Sequence, residues 1–100
     1  MKKLNIFLLI LVLSGNVLAN GSISKGKETY LKCVGCHGEK AEGIVGPTLK
    51  NKDKSTIINL LKKYRNSEVI GPMSSMMIPM AIGLTDEEIE NLANYITQIK

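Results

Sequence analysis

Two cysteines and a histidine stand in an order typical of covalent haem attachment: Cys33, Cys36 and His37. Each thiol can add across one vinyl group of a porphyrin, and the two intervening residues keep both sulfur atoms on one side of the backbone. The imidazole of His37 then lies beneath the iron, where it can be an axial ligand. Gly38 lets the chain leave the ring without a side chain in the way. The motif therefore predicts one covalently bound haem c with its iron.

Three other kinds of site use a similar cysteine spacing. A thioredoxin-like dithiol expects a strand–helix pattern around the cysteines, and the surrounding sequence has none. Tetrahedral zinc needs four ligands, whereas the chain contains no cysteine or histidine besides Cys33, Cys36 and His37. A plain disulfide in a small exported domain is the third alternative. Haem attachment is the interpretation that the order of the three residues favours.

A haem iron bound by His37 on one side has either a second protein ligand or an open position on the other. The chain has no second histidine, so a methionine thioether is the candidate ligand. Four methionines crowd one proline-containing segment: Met73, Met76, Met77 and Met80. Because methionine also fills irregular gaps in protein cores, the residue type alone does not choose among the four.

A cleaved leader is predicted at the N-terminus. A basic start and an apolar run over residues 4–13 precede a small-residue cleavage site that ends at Ala19. The run is shorter than the roughly 20 residues that a membrane-spanning helix needs. We therefore expect a signal peptide over 1–19, export to the periplasm, and one mature domain over 20–100 without stable membrane insertion.

The composition limits the classes of partner that the protein could bind, and it favours a bound cofactor. The formal net charge is +4, but two of the lysines lie in the leader, and no basic stripe is interleaved with aromatic residues. Nucleic-acid binding therefore has no support. Since Phe7 belongs to the leader, tyrosine is the only aromatic residue type of the mature domain. A small core this poor in aromatic residues usually needs a cofactor or a cross-link, and a haem would fill that need.

Helices are the elements predicted to position these residues. Ser24 is the expected N-cap of the first helix, which runs toward Cys33 and has Tyr30 and Leu31 on its apolar face. Gly26 costs this helix stability relative to alanine, which indicates that another backbone or ring approaches closely at this point.

Two more helices follow a polar, glycine-rich loop. One is capped by Asp53 or Ser55 and ends in basic residues that suit the helix dipole. The other opens with a capping box over 85–88 and continues as an apolar stripe. Between them, the glycine and proline residues of 66–83 predict an irregular segment. No segment alternates in the way a strand does, so the predicted fold class is all-α.

With these elements in order, the whole mature chain resembles the class I cytochromes c, in particular the short monohaem type of bacterial periplasms. The matching residues are Gly26-x-x-x-Tyr30-x-x-Cys33-x-x-Cys36-His37-Gly38, Gly46-Pro47-Thr48-Leu49, the methionine-rich segment, Leu84-Thr85-Asp86-Glu87-Glu88-Ile89 and Tyr95-Ile96. The resemblance implies that 20–100 is one cytochrome c domain, with three to four helices wrapped around the haem.

The resemblance also implies contacts for single residues. Gly26 and Tyr95 would meet where the first and last helices cross. The carbonyl of Pro47 would accept a hydrogen bond from the second ring nitrogen of His37, which fixes the orientation of the imidazole.

The distal ligand is assigned by the same resemblance. In similar proteins the ligating methionine lies seven residues before the leucine that opens the last helix cap. Counting back from Leu84 gives Met77. Met80 is the next alternative, followed by Met76 and Met73.

The function implied by the resemblance is electron transport in a respiratory chain. A monomer with one haem c and His/Met ligation would pass single electrons between a redox donor and a redox acceptor, without acting as an enzyme. A haem sensor or weak peroxidase with an open sixth position is the alternative. An exported dithiol oxidoreductase without haem is a third possibility.

Overall fold

Helices make up all the regular secondary structure of residues 22–99, the part of the chain that this computed structural model describes. The helices are α1 (22–30), α2 (Val34–His37), α3 (Lys54–Arg65), α4 (Ser74–Ala81) and α5 (Asp86–Ile96). No strand occurs between residues 22 and 99, so the predicted all-α class is confirmed. The signal peptide predicted over 1–19 lies outside the described residues.

The first helix begins earlier than the sequence indicates. Ser24, the predicted N-cap, lies inside α1, because the turn that contains Ser22 is already helical. The Ser22 hydroxyl donates to Asn91 Oδ1 at 2.8 Å and accepts from Asn94 Nδ2 at 3.3 Å, so contacts with α5 hold this turn in place. The expected apolar position of Leu31 is also wrong: α1 ends at residue 30, and the Leu31 side chain is 70% exposed.

Gly26 marks the place where α1 crosses α5. A Cβ atom at this position would collide with the carbonyl oxygen of Asn91 and would lie 2.8 Å from the Cβ of Tyr95. One turn further along α1, the rings of Tyr30 and Tyr95 pack with their centroids 5.4 Å apart. The predicted meeting of Gly26 and Tyr95 is therefore confirmed, and it needs a residue without a side chain.

The capping predictions for α3 and α5 are confirmed. Asp53 is the N-cap of α3, where its Oδ1 accepts from the amide of Thr56 at 2.8 Å, while the Ser55 hydroxyl donates to the same carboxylate at 3.2 Å. In α5, Thr85 Oγ1 accepts from the amide of Glu88 at 3.1 Å, and Glu88 Oε1 accepts from the amide of Thr85 at 3.0 Å. The three bonds that come from backbone amides each satisfy an amide that the start of a helix leaves without a partner.

The expectation that 66–83 is irregular throughout is wrong, because α4 occupies Ser74–Ala81. Pro79 lies inside this helix. Because proline has no amide hydrogen, the carbonyl of Ser75, in the first turn, loses its helical hydrogen bond. Ser75 is exposed, so water can satisfy that carbonyl. On the inner side, Ser74 and Ala81 are both buried. Tertiary packing of these two small residues therefore outweighs the local effect of the proline.

The protein core is built around α5. Its predicted apolar stripe is buried at Ile89, Leu92, Ala93 and Ile96. Helix α3 packs against both α4 and α5, and Arg65 at its end bonds to the carbonyl of Leu84 and to Asp86 at 3.2 Å and 2.7 Å. None of the helices between residues 22 and 99 combines the length and the apolar character that a membrane crossing requires.

Candidate haem site

An apolar cavity of about 380 Å³ lies beside α3, between that helix, α5 and the segments that carry the predicted haem ligands. This volume is within the range of roughly 300–1,000 Å³ that is typical of ligand and cofactor sites. Most of the wall is aliphatic and comes from α3 and α5. The sulfur-bearing, ionisable or hydroxyl-bearing side chains of the wall are Cys33, His37, Lys52, Tyr64, Met73 and Met77.

His37 is buried at the end of α2, and its ring is fixed by a backbone carbonyl. Its Nδ1 lies 2.9 Å from the carbonyl oxygen of Pro47, the contact that the resemblance implies. Because a carbonyl oxygen can only accept, Nδ1 donates the proton of this hydrogen bond, and in the neutral imidazole Nε2 is then the nitrogen with a lone pair for a metal. Gly46 lies against the same ring: a Cβ atom there would be 2.8 Å from Cε1.

The loop that follows His37 is folded back onto the cysteine motif by main-chain hydrogen bonds. The carbonyl of Cys36 accepts from the amides of Ile44, Val45 and Gly46 at 3.1, 3.0 and 2.9 Å. The carbonyl of His37 accepts from the amide of Gly43 at 2.7 Å. This closed loop brings the Pro47 carbonyl to the imidazole.

The Tyr30 hydroxyl is an anchor of this loop that the sequence analysis missed. It donates to the carbonyl of Gly38 at 2.6 Å, and the tyrosine side chain is 1% exposed. Burial, with smaller contributions from Cys33, Glu42 and Tyr95, raises the pKa of Tyr30 to about 12. The position of Tyr30, three residues before the first cysteine, was visible in the sequence, but the partner of its hydroxyl was not.

The two cysteines differ in environment, although both are free thiols. Cys33 is half-buried and lines the cavity, whereas Cys36 is exposed. Burial raises the pKa of the Cys33 thiol, reinforced by Cys36 and opposed by Lys32. A dithiol oxidoreductase depends on a cysteine whose pKa is lowered, so this environment argues against that alternative.

A zinc site also lacks support in the described part of the chain. Residues 22–99 contain no group of three or more histidine, cysteine, aspartate or glutamate side chains arranged to hold a metal ion.

The four candidate methionines separate into two pairs. Met73 and Met77 line the cavity. Met76 and Met80 are 52% and 45% exposed and do not contribute to the cavity wall. The structure thus brings two of the four thioethers to the cavity that His37 also lines, and Met80, the next alternative after Met77, is not one of them.

The donor set suits haem c. It comprises two thiols three residues apart, the imidazole of His37, and the methionines of α4 and of its N-cap that line the cavity. The aliphatic wall matches the apolar faces of a porphyrin. Leu60 and Leu61 of α3 belong to this wall and are only partly covered by protein. Among the lining residues that the structure describes, Lys52 is the one lysine, arginine, aspartate or glutamate, and an ammonium group suits the carboxylates of a haem.

Comparisons with known proteins show the family of this chain. The family model described as cytochrome c matches residues 23–100. Cytochrome c-554(548) of Halomonas halodenitrificans is 32% identical over 77 residues, which cover 75% of this chain and 93% of that protein. Cytochrome c-554(547) of Halothiobacillus neapolitanus is 31% identical over 90 residues, which cover 80% and 99%.

A third relative is cytochrome c-553 of Nitratidesulfovibrio vulgaris, which is 28% identical over 78 residues that cover 74% of this chain and 76% of that protein. The family match spans the cysteine motif, the Pro47 turn, the methionine segment and α5. The chain therefore belongs to the cytochrome c family, as a class I monohaem cytochrome that binds one haem c covalently and serves haem-based electron transfer.

Proposed function

We propose that this protein is a periplasmic electron carrier whose haem iron has His37 and Met77 as its two axial ligands. It passes single electrons between a donor protein and an acceptor protein, as a monomer exported after removal of 1–19. The observation that carries the proposal is the shared cavity, which is lined by both His37 and Met77.

The covalent attachment would come from Cys33 and Cys36, through thioether bonds to the two vinyl groups. When bound, the haem supplies the one-electron ferrous–ferric couple. Attachment needs thiols that can be reached, which agrees with two free cysteines, one of them exposed.

His37 would serve as the proximal ligand through Nε2. Its hydrogen bond to the Pro47 carbonyl fixes the tautomer and the ring plane, so the imidazole needs little rearrangement when the charge on the metal changes. The bond also increases the basicity of the imidazole, which is one of the ways in which a protein adjusts a reduction potential.

Met77 is favoured over Met73 by its place in the fold. Met77 lies in the middle of α4, while Met73 is the N-cap residue before that helix and is 41% exposed. A thioether ligand favours the ferrous state and raises the reduction potential. The aliphatic wall acts in the same direction, because a low-polarity environment disfavours the extra positive charge of the ferric state.

A carrier with both axial positions filled transfers electrons without transforming a substrate. The experiment that tests this proposal is exposure of the reduced, haem-loaded protein to carbon monoxide. We expect no rapid change in the absorption spectrum of the unaltered protein, whereas the Met77→Ala variant should bind carbon monoxide readily. Rapid binding to the unaltered protein would contradict the proposal and would favour the alternative with an open sixth position, a haem sensor or weak peroxidase.

A further inference from the structure

Ser74, the first residue of α4, is a buried polar residue beside the methionine segment. Its side chain is 1% exposed. Its hydroxyl oxygen accepts hydrogen bonds from the amides of Ile70 and Gly71, both at 2.9 Å. The amide of Ser74 in turn donates to the carbonyl of Gly71 at 3.2 Å. Three hydrogen bonds therefore tie the chain at 70–71 to the start of α4.

The turn that Ser74 ties down is part of the cavity wall. Gly71 and Pro72 line the cavity together with Met73 and Met77. If this turn moved outward, the wall would open next to the methionine segment. The tie made by the Ser74 hydroxyl therefore acts directly at the cavity.

Ser74 also shares a side of α4 with Met77. The two residues are three positions apart, and residues three or four apart in a helix are neighbours on its surface. Ala81, four positions after Met77, is fully buried as well. Met77 thus stands between two small buried residues, which allow α4 to lie close to the rest of the protein.

We propose that Ser74 is a positioning residue for Met77, because its hydroxyl ties the Ile70–Gly71 turn to α4 and thereby holds the Met77 thioether at the cavity. This inference rests on the proposed ligation of the iron by Met77. Ser74 acts through Met77 and does not itself contact the iron. A serine that merely stabilised the fold would change the melting temperature without changing how readily the methionine is displaced.

Displacement of Met77 is measurable, because an external ligand binds only when the methionine has left the sixth position. The apparent affinity of that ligand is therefore its intrinsic affinity multiplied by the fraction of molecules in which the position is free. Loss of two hydrogen bonds to the Ser74 hydroxyl should raise this fraction, and hence the affinity, on the order of tenfold.

The experiment is a titration of the ferric, haem-loaded exported protein with imidazole, followed by absorption. We expect Ser74→Ala to bind imidazole about tenfold more tightly than the unaltered protein. Its far-red sulfur-to-iron band should persist before imidazole is added. The matched control is Ser75→Ala, a change at the exposed neighbour in the same helix, which should leave the affinity unchanged. Equal affinities for the Ser74→Ala and Ser75→Ala variants would overturn the inference.

A second measurement on the unaltered protein does not depend on the folding of a variant. Coupling between two events is reciprocal, so displacement of Met77 by imidazole should weaken the tie made by Ser74. We expect the amides of Ile70 and Gly71 to exchange with deuterium faster when imidazole is bound. Unchanged exchange at both amides would contradict the inference.

Failure of the proposed ligation would look different. In that case the far-red band would be absent from the unaltered protein, or it would survive in Met77→Ala. If the band is present in the unaltered protein and lost in Met77→Ala, and the Ser74→Ala variant behaves like the Ser75→Ala control, the ligation stands and the role of Ser74 is wrong.

Discussion

The Cα of Gly26 on α1 lies so close to α5 that a Cβ atom there would be 2.8 Å from the Cβ of Tyr95 and would collide with the carbonyl of Asn91. Both neighbours belong to a packed helix, so neither can move away cheaply. This contact fixes α1 against α5. The cysteine motif follows α1 directly, so the same contact sets where the motif begins relative to the cavity.

The first prediction concerns this crossing. Gly26→Ala should lower the free energy of unfolding by about 1–3 kcal/mol, because overpacking outweighs the gain in helix propensity of about 1 kcal/mol. Denaturant unfolding of the haem-loaded protein measures the change. The control is Gly83→Ala, since a Cβ at Gly83 would meet nothing within 4 Å. If Gly26→Ala were as stable as this control, the close crossing would be wrong.

The second prediction concerns the imidazole of His37. Gly46→Ala would place a Cβ 2.8 Å from Cε1 and 3.1 Å from Nδ1, which would push the ring away from the Pro47 carbonyl. A weaker hydrogen bond makes the imidazole a less basic ligand, so the reduction potential should rise, on the order of tens of millivolts. Potentiometric titration measures it, again with Gly83→Ala as the control. An unchanged potential in the Gly46→Ala variant would count against a role for this hydrogen bond in setting the potential.

The third prediction concerns acid stability and the capping box of α5. Hydrogen bonds from the backbone and side chain of Thr85 hold the pKa of Glu88 below its usual 4.5. A lowered pKa means that the unfolded chain binds the proton more readily, so the stabilisation is present above about pH 4.5 and is lost as the pH falls through the pKa of the folded state. Glu88→Gln should therefore show a shallower loss of stability in this acid range.

Denaturant unfolding at about five pH values between roughly 3 and 7 would measure the slope of the free energy of unfolding against pH. Glu68→Gln removes the same charge from an exposed position outside the cap and serves as the control. Identical slopes for Glu88→Gln and the unaltered protein would show that the carboxylate contributes nothing to acid stability.

The fourth prediction concerns alkaline stability and Tyr30. Its pKa is raised from 10.0 to about 12, mainly by burial. The folded protein therefore holds this proton more tightly than the unfolded chain, and the stabilisation is present below pH 10.0 and is lost as the pH rises toward about 12. Tyr30→Phe should lack this loss, although it should be less stable at neutral pH by about 1–3 kcal/mol because the Gly38 carbonyl loses its donor.

Tyr64→Phe is the control, because it also removes one phenol hydroxyl but leaves the hydrogen bond between Tyr30 and the Gly38 carbonyl in place. A Tyr30→Phe variant that matched the unaltered protein at neutral pH would contradict the role of the Tyr30 hydroxyl as an anchor.

Much of this fold was predictable because several of its signals are local. The Asp53 cap and the Thr85–Glu88 box are hydrogen bonds within one turn, and the stripe of α5 is a property of one helix. The cysteine motif is likewise contained in α2 and the residue before it. Such features can be inferred without knowing what the chain packs against.

What the sequence did not reveal depends on tertiary contacts. Ser24 is the best local cap, yet α1 starts earlier because Ser22 bonds to α5. The residues of α4 look like a loop, because Pro79 is a local signal while the burial of Ser74 and Ala81 is not. Met73 was named among the alternative ligands, but its place in the cavity wall depends on the same tertiary packing.

The central claim is that His37 and Met77 are the two axial ligands of one covalently bound haem c. The most direct test is the absorption spectrum of the exported ferric protein, alongside Met77→Leu and the control Met80→Leu, whose methionine is exposed. We predict a low-spin haem c spectrum with a weak far-red sulfur-to-iron band in the unaltered protein and in Met80→Leu, and loss of that band in Met77→Leu. A band that survives in Met77→Leu, or that is missing from the unaltered protein, would contradict the claim.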